Sequence, residues 1–310
     1  MARLLFTGGG GAGNEALHRH LEGAHETHFA DADLDAIDPL VPADRRHAIP
    51  FAADPAFADE LLALCRRLDV DILVPGVDEE LPALAPLRDG APRIMVPPAA
   101  FVGDMLDKFT FAKRLHAAGL DAPETRLLSD WSGMAFPLIA KPRSGRGSRG
   151  VMRIENAAQV EAYLAFQSAP ADAFVAQELV EGDEYTVCVH ADEEGALRHV
   201  VPVRVGVKKG ITIAATAIRS DPIFAYAEAF QAALKPKGVY NIQCMLTSEG
   251  RVAPFEVNPR VSTTFCLALQ AGFDPFVEAA PAPARHLPEA PIHLKRRWVN
   301  HFSPEAEASP

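Results

Sequence analysis

The 310-residue chain has few aromatics (7%), with two tryptophans and four tyrosines, and four cysteines that form no CxxC pair. Cys65, Cys188, Cys244 and Cys266 lie far apart, which argues against a disulfide framework and a zinc centre. A reducing cytoplasm is the expected location. Cys188 and Cys244 fall in strand-like runs and read as core residues. No apolar run reaches the roughly 18 residues that a membrane helix needs. The opening MARLLFTGGGG passes from a strand straight into a glycine turn, so no signal peptide is expected. Positive charge is in deficit, with 30 Lys+Arg against 41 Asp+Glu and a net charge of −11, which argues against a general nucleic-acid binder. No internal repeat is visible, and no Ser/His/Asp or Cys/His constellation suggests a covalent nucleophile.

What is present fits a globular enzyme. A hydrophobic share of 48% supports a real core, and the length suits two or three packed subdomains. Residues 2–7 read as a buried strand, 8–13 as a tight glycine turn and 14–21 as a helix. A second strand runs through 27–30. Residues 56–68 carry Phe57, Leu61, Leu64 and Leu68 at helical spacing. Residues 71–75 and 93–96 are further strands. This alternation predicts a parallel sheet with helices on both faces, and ligands bind beyond the carboxyl ends of such strands. Gly8–Gly13 and Gly76–Glu80 both lie at those ends. The glycine turn invites a dinucleotide reading, but only Asp31 and Asp33 come near the acidic position that reading requires. Pro97, Pro98 and Gly103 mark residues 97–106 as a linker.

The most informative stretch runs from Tyr240 to Ser262. Gln243 sits on one strand-like run and Glu256, Asn258 and Arg260 on the next, with a turn at Ser248-Glu249-Gly250. Residues two apart in a strand project from one face, so a carboxylate, an amide oxygen and a guanidinium share one surface. Hard oxygen ligands suit Mg²⁺, and a neighbouring arginine suits phosphate oxygens. Upstream, residues 137–142 read as a strand holding Lys141. The loop from Arg143 to Gly150 follows, with Arg146 and Arg149. Glycines allow close approach of backbone to phosphate, and successive amides can cradle an anion. Alone, this loop fits a basic surface loop equally well.

Taken in order, these parts resemble the ATP-grasp family, and within it the carbamoyl-phosphate-synthase-like branch that includes many amino-acid ligases. The likeness spans residues 107–264. It implies α/β and α+β architecture: an N-terminal parallel, Rossmann-like pre-ATP-grasp domain (1–105), then two ATP-grasp subdomains (106–175, with the phosphate loop, and 176–302, with the metal site). A disordered tail (303–310) is expected.

The resemblance implies ATP and one or two Mg²⁺ ions, for which Mn²⁺ can substitute. Lys141 matches the lysine on the α- and β-phosphates, and Gly145, Gly147 and Ser148 belong to the loop that folds over them. Lys108 opens a helix over 108–118, with Phe109, Ala112, Leu115 and Ala118 as its stripe, and matches a basic residue near the phosphates. Gln177, Glu178, Leu179 and Val180 supply the adenine slot, and Glu184 matches the acid on the ribose hydroxyls. Gln243, Glu256 and Asn258 hold the metal, and Arg260 stabilises the transferring phosphoryl group. The family usually has an acid where Gln243 stands, which lowers the charge of the site.

The implied activity is a ligase that phosphorylates a carboxylate and joins it to an amine. An ATP-grasp kinase, a carboxylase and a non-catalytic nucleotide-binding module share the same nucleotide residues and stay open as alternatives. Asp78, Glu79 and Glu80 are candidates to face the second substrate. In the hairpin-like segment 198–219, Arg204 is a candidate for a substrate carboxylate or the phosphate, while Lys209 fits a solvated hairpin tip. His190 and His199 read as strand residues. At 310 residues the chain is far shorter than the duplicated carbamoyl phosphate synthetase, so carbamoyl phosphate synthesis itself is not the expected activity. Expected partners are ATP, a small carboxylate and an amine, with no nucleic acid and no membrane. The sequence leaves monomer and homodimer open.

Overall fold

The computed structural model describes residues 1–145, 147–277 and 283–298. Arg146, the last residues (299–302) of the expected second ATP-grasp subdomain and the expected disordered tail lie outside the described residues. The first third is built from β1 (Arg3–Thr7), α1 (Asn14–Leu21), β2 (Glu26–Asp31), β3 (Arg46–Ala48), α2 (Phe57–Leu68), β4 (Ile72–Val74), α3 (Leu81–Leu84) and β5 (Arg93–Ile94). All pairings in this five-stranded sheet are parallel, in the order β3-β2-β1-β4-β5. β1 is buried on both sides because its successive side chains enter different cores. Leu4 and Phe6 pack toward the rest of the molecule, and Leu5 packs with Leu61, Leu64 and Leu73.

Two helices follow, α4 (Ala99–Leu106) and α5 (Lys108–Ala117). The expected linker over 97–106 is therefore wrong. Pro97 and Pro98 precede the first turn, where a proline costs no hydrogen bond, and a Cβ on Gly103 would meet open space. Val102 and Met105 anchor α4 in the core. The predicted stripe on α5 is also shifted: Lys108, Phe111, Ala112 and Leu115 are buried, not Phe109 and Ala118. Asp107 caps this helix, its side chain accepting from the amides of Phe109 and Thr110.

A small antiparallel sheet comes next: β6 (Thr125–Leu127), β7 (Leu138–Pro142), β8 (Met152–Ile154) and, after α6 (Ala157–Ala165), β9 (Phe174–Glu178), in the order β6-β9-β7-β8. It has its own core of Leu138, Ala140, Val160, Tyr163 and Phe174. The chain then enters a larger sheet: β10 (Asp183–Ala191), β11 (Leu197–Lys209), β12 (Ile211–Ala217), α7 (Asp221–Leu234), β13 (Gly238–Leu246), β14 (Val252–Asn258), α8 (Phe265–Gln270), β15 (Arg285–His286) and β16 (Ile292–Lys295). Its order is β14-β13-β10-β11-β12-β16, with β15 beside β11. One face shares a core with the first sheet through Cys188, Val201, Phe265 and Phe273. The other packs on α4, α5 and α7 through Val187, Tyr240, Phe230 and Phe111. Cys188 and Cys244 are fully buried core residues, as expected. β9 and β10 thus flank residues 179–182 but belong to different sheets. A Cβ on Gly182 would lie 2.3 Å from the Leu246 carbonyl oxygen, so this crossing requires glycine. No helix among the described residues is long and apolar enough to cross a membrane.

His190 and His199 are strand residues, paired across β10 and β11 and stacked at 5.5 Å with their Nδ1 atoms 3.2 Å apart. Burial is the main cause holding both neutral, with His190 lowered to about 3 and His199 to about 4; His199 adds to the effect on His190, and Arg285 to that on His199. Both values fall below the unfolded value of 6.5. The stability that these neutral rings contribute is therefore present above pH 6.5 and lost as pH falls toward 4. Chemical denaturation across this window should find unfolding free energy falling by on the order of 1 kcal/mol per pH unit for each histidine. His199→Gln should flatten the slope. An unchanged slope would remove the pair from the acid response.

Candidate active site

The small sheet and the large sheet face each other across a cleft of about 670 Å³. β7 brings Lys141, β9 brings Gln177, and the crossing segment brings Glu178, Leu179 and Val180. From the large sheet come Glu184 on β10, Gln243 on β13, and Glu256 and Asn258 on β14. Lys108 enters from the first turn of α5. Gly145, Gly147 and Ser148 line the cleft from the loop, and Arg260 from just beyond β14. All fourteen residues expected at the nucleotide, metal and phosphoryl positions line this one cavity.

The hairpin explains the metal end. Gln243 stands opposite Glu256 in register, and Asn241 opposite Asn258. Gln243, Glu256 and Asn258 therefore bring three oxygen-bearing side chains to one space, and only Glu256 is anionic. Among the described residues no cluster of three or more His, Cys, Asp or Glu side chains has metal-binding geometry. Such a sparse set fits Mg²⁺, which keeps several waters and takes phosphate oxygens as further ligands.

Two buried lysines stand beside Glu256. Lys108 Nζ donates to the Gly145 carbonyl at 2.9 Å and lies 3.3 Å from Glu256 Oε1. Lys141, 4% exposed, donates to Gln177 Oε1 at 2.8 Å and to the Phe255 carbonyl at 3.1 Å. Burial pushes the Lys141 ammonium down to about 7, against the opposing pull of Glu256. The Gln177 amide nitrogen donates to Thr125 Oγ1 at 2.8 Å, so this side chain is a buried prop for Lys141. Asp107 ties the loop to α5, receiving Arg143 at 3.0 and 2.5 Å.

At the other end Pro123, Ile139, Leu179, Val180, Met245 and Phe255 form an apolar slot. The Glu178 carboxylate turns away from it, accepting from Arg251 at 2.8 Å and from the Glu124 amide at 3.0 Å. The Arg251 bond is the largest cause holding its pKa below the usual range. Its amide donates to the Glu124 carbonyl at 2.8 Å, so its own carbonyl is what it can offer the slot. Glu184 lies 2.6 Å from Lys208, a cleft residue that the sequence reading passed over.

The candidates for the second substrate separate. Asp78 grips Arg260, with Nε 2.5 Å from Oδ1 and Nη2 3.0 Å from Oδ2. Glu79 and Glu80 line a second cavity of about 590 Å³, at the carboxyl ends of the parallel strands. Arg204 lines neither cavity; its nearest acid is Asp183 at 3.7 Å. Strand alternation would put Arg204 and Lys208 on one face, but the β11–β12 register shifts twice between them, which re-aims the later side chain. Three amides of the glycine turn are already paired within the domain. The amides of Gly9, Gly10 and Gly11 donate to the Ala30 carbonyl, the Asp31 carboxylate and the Gly8 carbonyl, at 2.9, 2.9 and 2.8 Å.

A family model described as an ATP-grasp domain matches residues 105–264, about half of the chain. The carbamoyl phosphate synthase large chain of Thermoanaerobacter pseudethanolicus is 27% identical over 194 residues, covering 56% of this chain and 18% of that protein. This chain therefore spans less than a fifth of that relative's length. An L-amino acid ligase from Bacillus licheniformis superposes with a TM-score of 0.65 at 17% identity, covering 89% of this chain and 72% of that one. The biotin carboxylase domain of Hydrogenobacter thermophilus 2-oxoglutarate carboxylase, solved with MgADP, ADP and bicarbonate, gives 0.62 at 14% identity, covering 88% and 67%. At such identities the structural likeness establishes the fold.

Proposed function

The chain belongs to the ATP-grasp family, and from that premise we propose that it is an ATP- and Mg²⁺-dependent ligase joining a carboxylate to an amine through an acyl phosphate. The observation that carries this reading is the junction of two cavities. The cleft with the lysines and the metal donors meets the second cavity at Arg260, Ser262 and Thr263, so a nucleotide and an acceptor have separate rooms with one shared wall. We assign residues 1–105 to the acceptor side, 106–175 to the subdomain with the loop, and 176–302 to the subdomain with the metal donors.

Phosphoryl transfer asks a protein mainly for alignment and charge neutralisation. Lys141 and Lys108 hold the phosphate chain, and the main chain from Glu178 to Val180 holds the base. Glu184 accepts from the ribose hydroxyls once Lys208 gives way. Gln243, Glu256 and Asn258 would hold Mg²⁺, which neutralises the phosphates and keeps them in line. Arg260 stabilises charge first on the transferring phosphoryl group and then on the tetrahedral centre formed by the amine. A carboxylate oxygen attacks the γ-phosphorus and ADP leaves; the amine then displaces phosphate from the acyl carbon.

The test is ADP and phosphate release from Mg·ATP with pools of carboxylates and amines. Release should require one member of each pool. Release with a carboxylate alone and a stable phosphorylated product would make the protein a kinase. Release that needs bicarbonate would make it a carboxylase.

A further inference from the structure

The turn after β14 holds Arg260 through main chain and side chain alike. The Arg260 amide donates to the Asn258 carbonyl at 2.9 Å, and its guanidinium donates to Asp78 and to the Val261 carbonyl. The Arg260 carbonyl accepts from Asn241 Nδ2. Asn241 lies on β13, opposite Asn258 and two residues before Gln243, so it shares a strand face with a metal donor. It sits beneath the cleft rather than on its wall. Asn241 is 1% exposed, and Val239, two residues the other way along the same face, already belongs to the core with Val261 and Phe265.

An asparagine is an expensive choice at such a position. Only its amide nitrogen can face a carbonyl oxygen, which fixes the orientation of the group. Its Oδ1 then points into the interior, where it has no hydrogen-bond donor among the described residues. A buried acceptor left unpaired lowers stability, and an aliphatic side chain would pack on this face as Val239 does. What an aliphatic residue cannot supply is the N–H to Arg260. Without that donor the Arg260 carbonyl must turn toward another partner. The peptide plane between Arg260 and Val261 turns with it and re-aims the guanidinium.

Resting on the reading that Arg260 acts on the transferring phosphoryl group, we propose that Asn241 is a positioning residue for Arg260. It touches neither nucleotide nor acceptor. It holds the peptide from which Arg260 projects, and the unpaired oxygen is the other end of the amide that does so.

The test uses the full chain with Mg²⁺ and two probes, ADP and a non-hydrolysable ATP analogue, which differ at the γ-phosphoryl group. Calorimetry should find the analogue ~10-fold weaker in Asn241→Leu, with ADP within ~2-fold of the parent. The substitution removes one unpaired acceptor and creates another, so Tm should stay within about 4 °C. Arg260→Met should show the same selective loss, and Asn241→Leu/Arg260→Met no further loss, because one residue acts through the other. Asn241→Asp is the conservative rescue. Burial favours its neutral carboxyl, which donates an O–H where the amide did. Its analogue affinity relative to the parent should be near normal at about pH 6.5 and fall toward about pH 9 as the carboxylate forms. Analogue affinity unmoved by Asn241→Leu while Arg260→Met weakens it, equal losses for analogue and ADP, or a Tm lower by more than about 8 °C would each overturn the positioning role. An Arg260→Met variant that binds both nucleotides as the parent does would overturn the phosphoryl role of Arg260, and the proposal with it. The selective losses, found in a protein that never joins a carboxylate to an amine, would keep the positioning role and remove the ligase.

Discussion

Lys141→Met is expected to lower ATP turnover by ~10²–10³ while changing stability by less than about 2 kcal/mol. The two effects separate because of where this lysine sits. Its ammonium is buried, and burial has already lowered its pKa to about 7, so the folded chain holds the charge at a cost. Removing a buried charge lifts its desolvation penalty, worth about a few kcal/mol. Against this, Gln177 Oε1 and the Phe255 carbonyl lose their donor, which costs about 1–3 kcal/mol. The opposing terms are of one size and largely cancel. Catalysis has no such offset, because nucleotide phosphates are what would stabilise the ammonium. Thermal unfolding beside single-turnover ADP release checks both halves. A fall in Tm of more than about 8 °C would make Lys141 a structural residue.

The sequence placed this lysine, yet it missed what the lysine is attached to. Strand alternation carried most of the architecture: Leu4, Leu5 and Phe6 read as a strand buried on both faces, and Glu256, Asn258 and Arg260 do share a cavity. What escaped depends on contacts across distant segments. Gln177 props Lys141 from 36 residues away, and Arg251 turns the Glu178 carboxylate aside from 73 residues away. Neither distance leaves a local signature. β3 is three residues long at the sheet edge, too short for any period to register. In α4 the misleading signal was local: two prolines and a glycine look like breakers until the helix start falls just after the prolines and the glycine faces outward. Lys208 was passed over because the irregular pairing of β11 breaks the strand alternation, so no period in the sequence marks it as facing the cleft.

Asp78→Ala should cost ~3–5 kcal/mol of stability, because it leaves the Arg260 guanidinium buried without its carboxylate. The two side chains are 14% and 11% exposed and lie 182 residues apart in sequence. Arg260 would keep the Val261 carbonyl at 2.8 Å and a long approach to Asn258 Oδ1 at 3.5 Å, which do not replace a bidentate acid. Arg260→Met should cost stability for the mirror reason, and should also lower turnover by ~10²–10³. The double variant Asp78→Ala/Arg260→Met contains no orphaned charge. Its stability loss should fall short of the sum of the single losses by ~0.5–3 kcal/mol, while its turnover stays at the level of Arg260→Met. Recovery of stability without recovery of activity would separate the two roles of the pair: Asp78 fastens the parallel-sheet domain to the metal end of the cleft, and Arg260 also acts on the phosphoryl group. Strictly additive stability losses would mean that the pair is not coupled, and the contact between Asp78 and Arg260 would then no longer explain how the second cavity is held against the first.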